Sequence, residues 1–467
     1  MIHLRTLLPL AALLIPCFAT AQTDDFPASP PPDAPPSIVK PAPLLRETLP
    51  NGLRVVIQEN HRVPAIEIKM GIRAGIVSDP VDNPYMVPLA VQMIEQGSEK
   101  YPPEKREKAA TAMGGNLGIN VLEDYVDVSA SCLSGHFGQM ADLMADMIRY
   151  PKMDREYMGY FTAGIVEAAK RKLLPPSTDE SKGRQAYAIR YPTDATAKRL
   201  DRDHLVEFYD NYYCPNNAIL VICGDVNAAE AMKQIKAAFG TWKPGETPPL
   251  PSFVPEVIQP FYYIYIQDSP HTIESKIRMS IDVPGLGEKD RLALQLANVI
   301  VGESLDNRLF RSVREKYGYV YGIGSGVIFN QYATQFVVGT ECRVAVTAKT
   351  VKQVEIEVQR LREEPVGEEE LTEAKHFLAH KYLLAQQSQA ETLEELFQVE
   401  FYKRPADYFR KLQGRINALT VADVQTVAKK YMFPNGSAFI AITGPKERIV
   451  DRLMNANIGV VVNPDSQ

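Results

Sequence analysis

The 467-residue sequence predicts an α+β fold of two homologous sandwich domains, each a mixed or antiparallel sheet with helices packed on one face. Three observations carry this. The chain is too long for one typical domain. A helix–turn–strand pattern over Leu200–Gly224 recurs over Leu419–Gly444, at an offset of 219 residues with one extra residue at the turn. A period this long signals duplicated domains rather than a solenoid. In each half strand patterns come first, helices follow and a strand returns, which is the order of an α+β sandwich.

Taken in order, residues 1–21 read as an export signal: Arg5 is the positive region, Leu7 to Phe18 the apolar run, and Ala19-Thr20-Ala21 the small-x-small cleavage site. The apolar run, interrupted by Pro9 and Pro16, is too short to span a membrane, and export to a bacterial periplasm is expected. Proline directly before Cys17 fits a lipoprotein signal poorly. Residues 22–44 form a stiff linker, with eight prolines between Phe26 and Pro43. The first domain spans 45–243. Asn51-Gly52 marks a hairpin before the strand Leu53–Gln58, and Ile66–Met70 alternates as a second strand. Helices are predicted around Met86–Glu95, stopped by Gly97, and over Pro103–Met113, broken at Gly114-Gly115. A strand at Tyr125–Ala130 precedes helices over 136–149 and 154–173. A helix ending at Tyr213, a turn at Cys214–Asn217, the strand Ala218–Cys223 and a helix over Ala228–Phe239 complete this half. Trp242 to Pro255 holds five prolines and contains the inter-domain linker, set at 244–256. The second domain spans 257–467. A loop proline before a long helix recurs in both halves, Pro151 before 154–173 and Pro365 before 368–384.

Composition excludes some functions. An apolar share of 45% with 23% charged residues is ordinary for a globular chain. Without residues 1–21 the balance is 50 basic against 57 acidic residues. No basic stripe marks a nucleic-acid surface. Cys132, Cys214, Cys223 and Cys342 show no CxxC spacing, so they are not a zinc knuckle, and buried free thiols are expected. There is no G-x-S-x-G elbow, P-loop or dinucleotide fingerprint.

The chemistry is expected between Asn307 and Ser325. Leu305, Leu309, Phe310 and Val313 fall on one helical face. Gly318 supplies the left-handed position that ends the helix, and Tyr319 and Tyr321 then share one face of a strand. Read locally, Arg314 is a solvated helix-end cation and Tyr321 a core residue. Convergent across the corner, a guanidinium and a phenol suit a carbonyl oxygen that gains charge.

The run Arg308-Leu309-Phe310 followed by Arg314-Glu315-Lys316-Tyr317-Gly318-Tyr319-Val320-Tyr321 resembles the insulinase/pitrilysin family of zinc peptidases, including its mitochondrial-processing-peptidase-like members. Tyr209 through Val226 is typical of the family too. The resemblance implies a clam-like pair of domains in which the Arg and Tyr of the second face a zinc site across a chamber. In that family the zinc site is an H-x-x-E-H helix in the first domain. Here the trailing context is kept, as Met93, Gly97-Ser98 and Lys100-Tyr101-Pro102. The motif itself reads Pro88-Leu89-Ala90-Val91-Gln92, so Pro88 and Gln92 replace the histidines and Val91 the water-activating glutamate. Proline binds no metal and valine moves no proton. Glu167 stands about where the distal ligand is expected. His376 and His380, an i, i+4 pair on another helix, form a possible clamp whose base position holds Ala379.

The resemblance therefore implies a non-catalytic subunit with no cofactor of its own. Its partner is an H-x-x-E-H chain carrying the zinc, and its substrates are unfolded peptides. Arg314 and Tyr321 would hold the scissile carbonyl, and substrate would add as a strand near Leu117, Gly118, Ile119 and Asn120. Whether the chain contributes to catalysis or only captures peptides as a scaffold stays open in the sequence. A self-sufficient peptidase lacks the ligands it needs.

Overall fold

Among the described residues, alternating apolar positions build twelve strands. In the first half these are β1 (Leu44–Thr48), β2 (Arg54–Glu59), β3 (Ala65–Ile72), β4 (Asn116–Val121), β5 (Val126–Leu133) and β6 (Ala218–Gly224). In the second they are β7 (Tyr262–Asp268), β8 (Glu274–Pro284), β9 (Val320–Phe329), β10 (Ala333–Arg343), β11 (Ala438–Gly444) and β12 (Val460–Val461). This computed structural model describes residues 43–80, 82–170, 192, 196–247, 249 and 262–461. The expected signal segment, nearly all of the proline-rich stretch, the end of the helix read over 154–173 and most of the linker 244–256 lie outside them.

The strands form two six-stranded sheets, ordered β1-β2-β6-β3-β5-β4 and β12-β7-β11-β8-β10-β9. Both are mixed. β2 runs parallel to β6 and β7 parallel to β11, while β3–β5–β4 and β8–β10–β9 are antiparallel. The duplication is thus explicit, with β4 and β9 corresponding edge strands that pair on one side only among the described residues.

Period 2 decides what each face buries. In the first sheet Val55, Ile57, Ile66, Ile68, Met70, Leu220 and Ile222 point to the face packed by the helices Met86–Glu95, Phe137–Arg149 and Ala228–Phe239. Trp242 belongs to this core, and the Asn51 amide donates to the carbonyls of Phe239 and Trp242 at 2.8 and 3.1 Å. The residues between them, Val56, Ile219, Val221 and Cys223, point the other way and are also buried. A helix of the second half, Gln389–Phe401, lies across them with Leu393, Phe397 and Phe401.

The seam is polar at its margins. Lys69 Nζ meets Glu394 at 2.7 Å and Asp127 at 3.3 Å, and lies 4.8 Å from the centre of the Phe397 ring. The Tyr402 hydroxyl donates to Asp124 at 2.8 Å, and the backbone N–H of Gln331 donates to the same carboxylate oxygen at 2.7 Å. The fit at its centre is tight. A Cβ on Gly71 would fall 2.4 Å from the Phe397 ring. All described residues fall in one compact unit, Ala42–Gln467.

Candidate functional site

The site begins at a helix over 308–316. Asn307 caps it, its side-chain oxygen accepting from the Phe310 amide at 2.8 Å. Leu309 and Val313 are fully buried and anchor the helix. Leu305, expected on the same face, lies before the cap and is 88% exposed. Over Phe310–Lys316 the winding widens to a π-helix, seen in the Tyr317 amide donating to the Ser312 carbonyl at 3.1 Å. Gly318, at φ +61°, ends it as expected.

Three arginines recur along this helix at intervals of three. Arg308 forms a fork with Glu370, at 2.8 and 2.7 Å. Arg311 forks onto Asp306. Arg314 makes no hydrogen bond or ion pair among the described residues. Its guanidinium carbon lies 4.4 Å from the centre of the Phe310 ring and 5.5 Å from that of Tyr321. Two aromatic rings therefore lie beside the guanidinium, and its N–H groups have no partner among the described residues.

Tyr321 sits where the sheet breaks register. Thr340 pairs with Ile323 and Cys342 with Val320, so Tyr321 and Gly322 together oppose Glu341. This bulge lets Val320 and Ile323, three apart, both lean on the core, and the two residues between them are turned out. Tyr321 is 91% exposed and its hydroxyl has no hydrogen-bond partner among the described residues. The simple alternation expected for Tyr319 and Tyr321 does not survive the bulge. Tyr319 instead packs partly against the core and stacks on Tyr317, with ring centres 5.3 Å apart. The core placement that local pattern gives Tyr321 is likewise overturned.

Tyr321 stands on the rim of a cleft of about 920 Å³. Its floor is the end of β10 and the start of β8, where Arg343 faces Glu274 and Glu341 faces Lys276 in register. Sequence reasoning missed this cleft and the Phe310 ring behind Arg314.

The residues in the zinc-motif positions lie where expected, on the helix Met86–Glu95. Pro88 occupies its first turn, where a missing N–H costs nothing. Asp79 caps the helix, accepting from the amides of Tyr85 and Val87 at 2.8 and 3.0 Å. Val91 is buried in the core. The Gln92 amide donates to the Tyr157 hydroxyl on the helix Arg155–Lys170 at 3.1 Å. Glu167 is ten residues further along that helix, roughly 15 Å of rise. These side chains do not fit a zinc ion. Among the described residues no group of three or more His, Cys, Asp or Glu is arranged to hold a metal. His376 and His380 are exposed, with ring centres 6.0 Å apart. Cys132, Cys214, Cys223 and Cys342 are buried free thiols, and burial pushes those of Cys132 and Cys223 up to about 11. Leu117, Gly118, Ile119 and Asn120 lie on β4, an edge strand of the first sheet with no second partner strand among the described residues, with Ile119 turned inward and Asn120 outward.

Two duplicated sheet domains with helices on their faces, and side chains unsuited to a metal in the zinc-motif positions, define a peptidase fold with an inactive centre. The chain belongs to the insulinase family of peptidases, M16. Residues 54–165 match the family described as Insulinase (Peptidase family M16), and residues 199–378 the one described as Peptidase M16 inactive domain. It is 22% identical to an uncharacterized zinc protease of Streptomyces coelicolor, over 88% of this chain and 92% of that protein. It is 22% identical to a probable mitochondrial-processing peptidase subunit beta of Arabidopsis thaliana, over 41% and 38%. The fold is similar to a peptidase M16 inactive domain from Pseudomonas fluorescens, with TM-score 0.74 at 19% identity over 86% and 98% of the chains. It is also similar to a protease from Helicobacter pylori, with TM-score 0.75 at 16% identity over 87% and 100%. Among the described residues no helix is long and apolar enough to cross a membrane.

Proposed function

We propose that the chain is the non-catalytic partner of a periplasmic two-chain insulinase-like peptidase, and that it supplies Arg314 and Tyr321 to the hydrolysis of unfolded peptides. One observation carries this reading. Of the three arginines on the site helix, two are locked to carboxylates and the third is held open between aromatic rings. An arginine kept free of counter-charge beside an exposed phenol suits an oxygen that arrives with the substrate. An H-x-x-E-H partner chain would bring the zinc and the activated water. Arg314 and Tyr321 bind the scissile carbonyl and stabilise its developing charge. The edge strand β4 supports pairing with an extended peptide through Leu117–Asn120.

The test is peptide cleavage by the complex of this chain with an H-x-x-E-H subunit, with assembly checked by gel filtration. Tyr321→Phe removes only the hydroxyl of an exposed side chain, so folding and assembly persist. The rate falls about 10²–10³-fold, the usual cost of one lost oxyanion donor. Arg314→Lys keeps the charge but loses the planar fork and is impaired as well. Full activity in assembled Tyr321→Phe and Arg314→Ala complexes removes the catalytic role, and the chain is then a peptide-capturing scaffold.

A further inference from the structure

The cleft beside Tyr321 carries four charges in two facing pairs, and only one pair is closed. Lys276 Nζ meets Glu341 at 3.2 Å. Arg343 and Glu274 are register partners on β10 and β8, yet no ion pair or hydrogen bond joins their side chains, and both are exposed. The cleft's own four charges balance, and Arg314, outside its lining with its guanidinium carbon 5.5 Å from the centre of the Tyr321 ring, adds one positive charge without a salt bridge beside it. That imbalance favours an anion. A guanidinium fork matches a carboxylate in particular, since two parallel N–H donors meet two oxygens.

We infer that Arg343 makes this cleft a carboxylate subsite, which takes an acidic side chain or the terminal carboxylate of a peptide running past Tyr321. The inference rests on reading Tyr321 and Arg314 as facing a peptide carbonyl. It adds what the neighbouring part of that peptide carries. Glu274 acts against binding as a competing counter-charge for Arg343, and its removal strengthens capture. Lys276 is neutralised by Glu341 and contributes little.

The experiment uses the full chain and fluorescently labelled unstructured peptides read by anisotropy. One pair of peptides differs only in interior Asp or Glu against Asn or Gln, both with amidated ends. A second pair is neutral inside and ends in a free acid or an amide. The expected result is about tenfold tighter binding of the acid member of at least one pair, as a charge-assisted fork replaces a neutral contact. The pair that discriminates tells a side chain from a chain end. Arg343→Gln abolishes the preference, and Glu274→Gln increases it. Both residues are exposed, so both variants fold. Equal binding of acid and neutral peptides, no binding of any of them, or a preference that survives Arg343→Gln overturns the inference. Cleavage by the two-chain complex separates this from the broader reading. A loss of rate in Tyr321→Phe without acid preference refutes only the subsite. An Arg343-dependent preference with no effect of Tyr321→Phe refutes only the catalytic role.

Discussion

Gly71 and Phe397 make a double-mutant cycle across the seam between the two halves. A methyl on Gly71 would lie 2.4 to 2.5 Å from the far edge of the Phe397 ring and 3.3 Å from Phe401. Carbon atoms prefer roughly 3.5–4.0 Å, so the ring must move by about an ångström in a site where Phe397 is fully buried. Overpacking of this kind costs about 1–3 kcal/mol. Phe397→Ala alone empties the ring's place among Tyr125, Val56 and Val221 and costs about 3–5 kcal/mol. With the ring gone, the alanine at 71 has room. The Gly71→Ala, Phe397→Ala pair is then less destabilised than the two single changes added together, by at least about 1 kcal/mol. The assay is urea unfolding of all four proteins, with unchanged slopes as the check on two-state behaviour. Strict additivity would show that the helix Gln389–Phe401 does not press on β3.

Burial pushes the Glu395 carboxyl up to about 7, with Glu391 adding to it, and one of its oxygens has no hydrogen-bond partner. Its folded pKa lies above the unfolded value of 4.5. The folded state therefore holds the proton that the unfolded state releases, and stability falls as pH rises from about 4.5 to 7. Glu395→Gln accordingly raises stability by about 1–3 kcal/mol at pH 8 and leaves it nearly unchanged at pH 4.5. Thermal unfolding across that range is the check, and an equal gain at both ends contradicts it. With Pro88, Val91 and Gln92 in the motif positions, elemental analysis of the purified chain should find no stoichiometric zinc. One tightly bound zinc per chain, lost in His376→Ala or His380→Ala, would transfer the metal to the exposed helix Glu368–Ala385.

Local pattern carried much of the fold. The recurrence of Leu200–Gly224 at Leu419–Gly444 became β6 and β11 with their preceding helices, and Gly318 took the left-handed turn it was given. What local pattern could not carry depends on a partner strand or a distant helix. The bulge at Tyr321 exists because Val320 and Ile323 pair with Cys342 and Thr340, and nothing in Tyr319–Ile323 itself breaks the period of two. Leu305 fits a helical spacing, but the Asn307 cap starts the helix after it. The sequence names Arg314, yet its availability depends on Arg308 and Arg311 having carboxylates within reach while Arg314 has rings. The second apolar face of the first sheet was hidden for a related reason. Val56, Ile219, Val221 and Cys223 are covered by residues 170 or more positions away.

That separation along the chain also has a consequence in time. The last strand to join the first sheet is complete at Gly224, and the helix that seals its outer side begins at Gln389. At synthesis rates of about 5–20 residues per second, roughly 8–33 seconds pass between the two. For that interval a newly made first half presents a bare strip of valine and isoleucine to its surroundings. A product truncated before Gln389 keeps that strip for its whole lifetime. The duplicated halves are thus no longer interchangeable modules: the earlier one waits for the later to finish it, and holding chaperones have the most to bind while it waits.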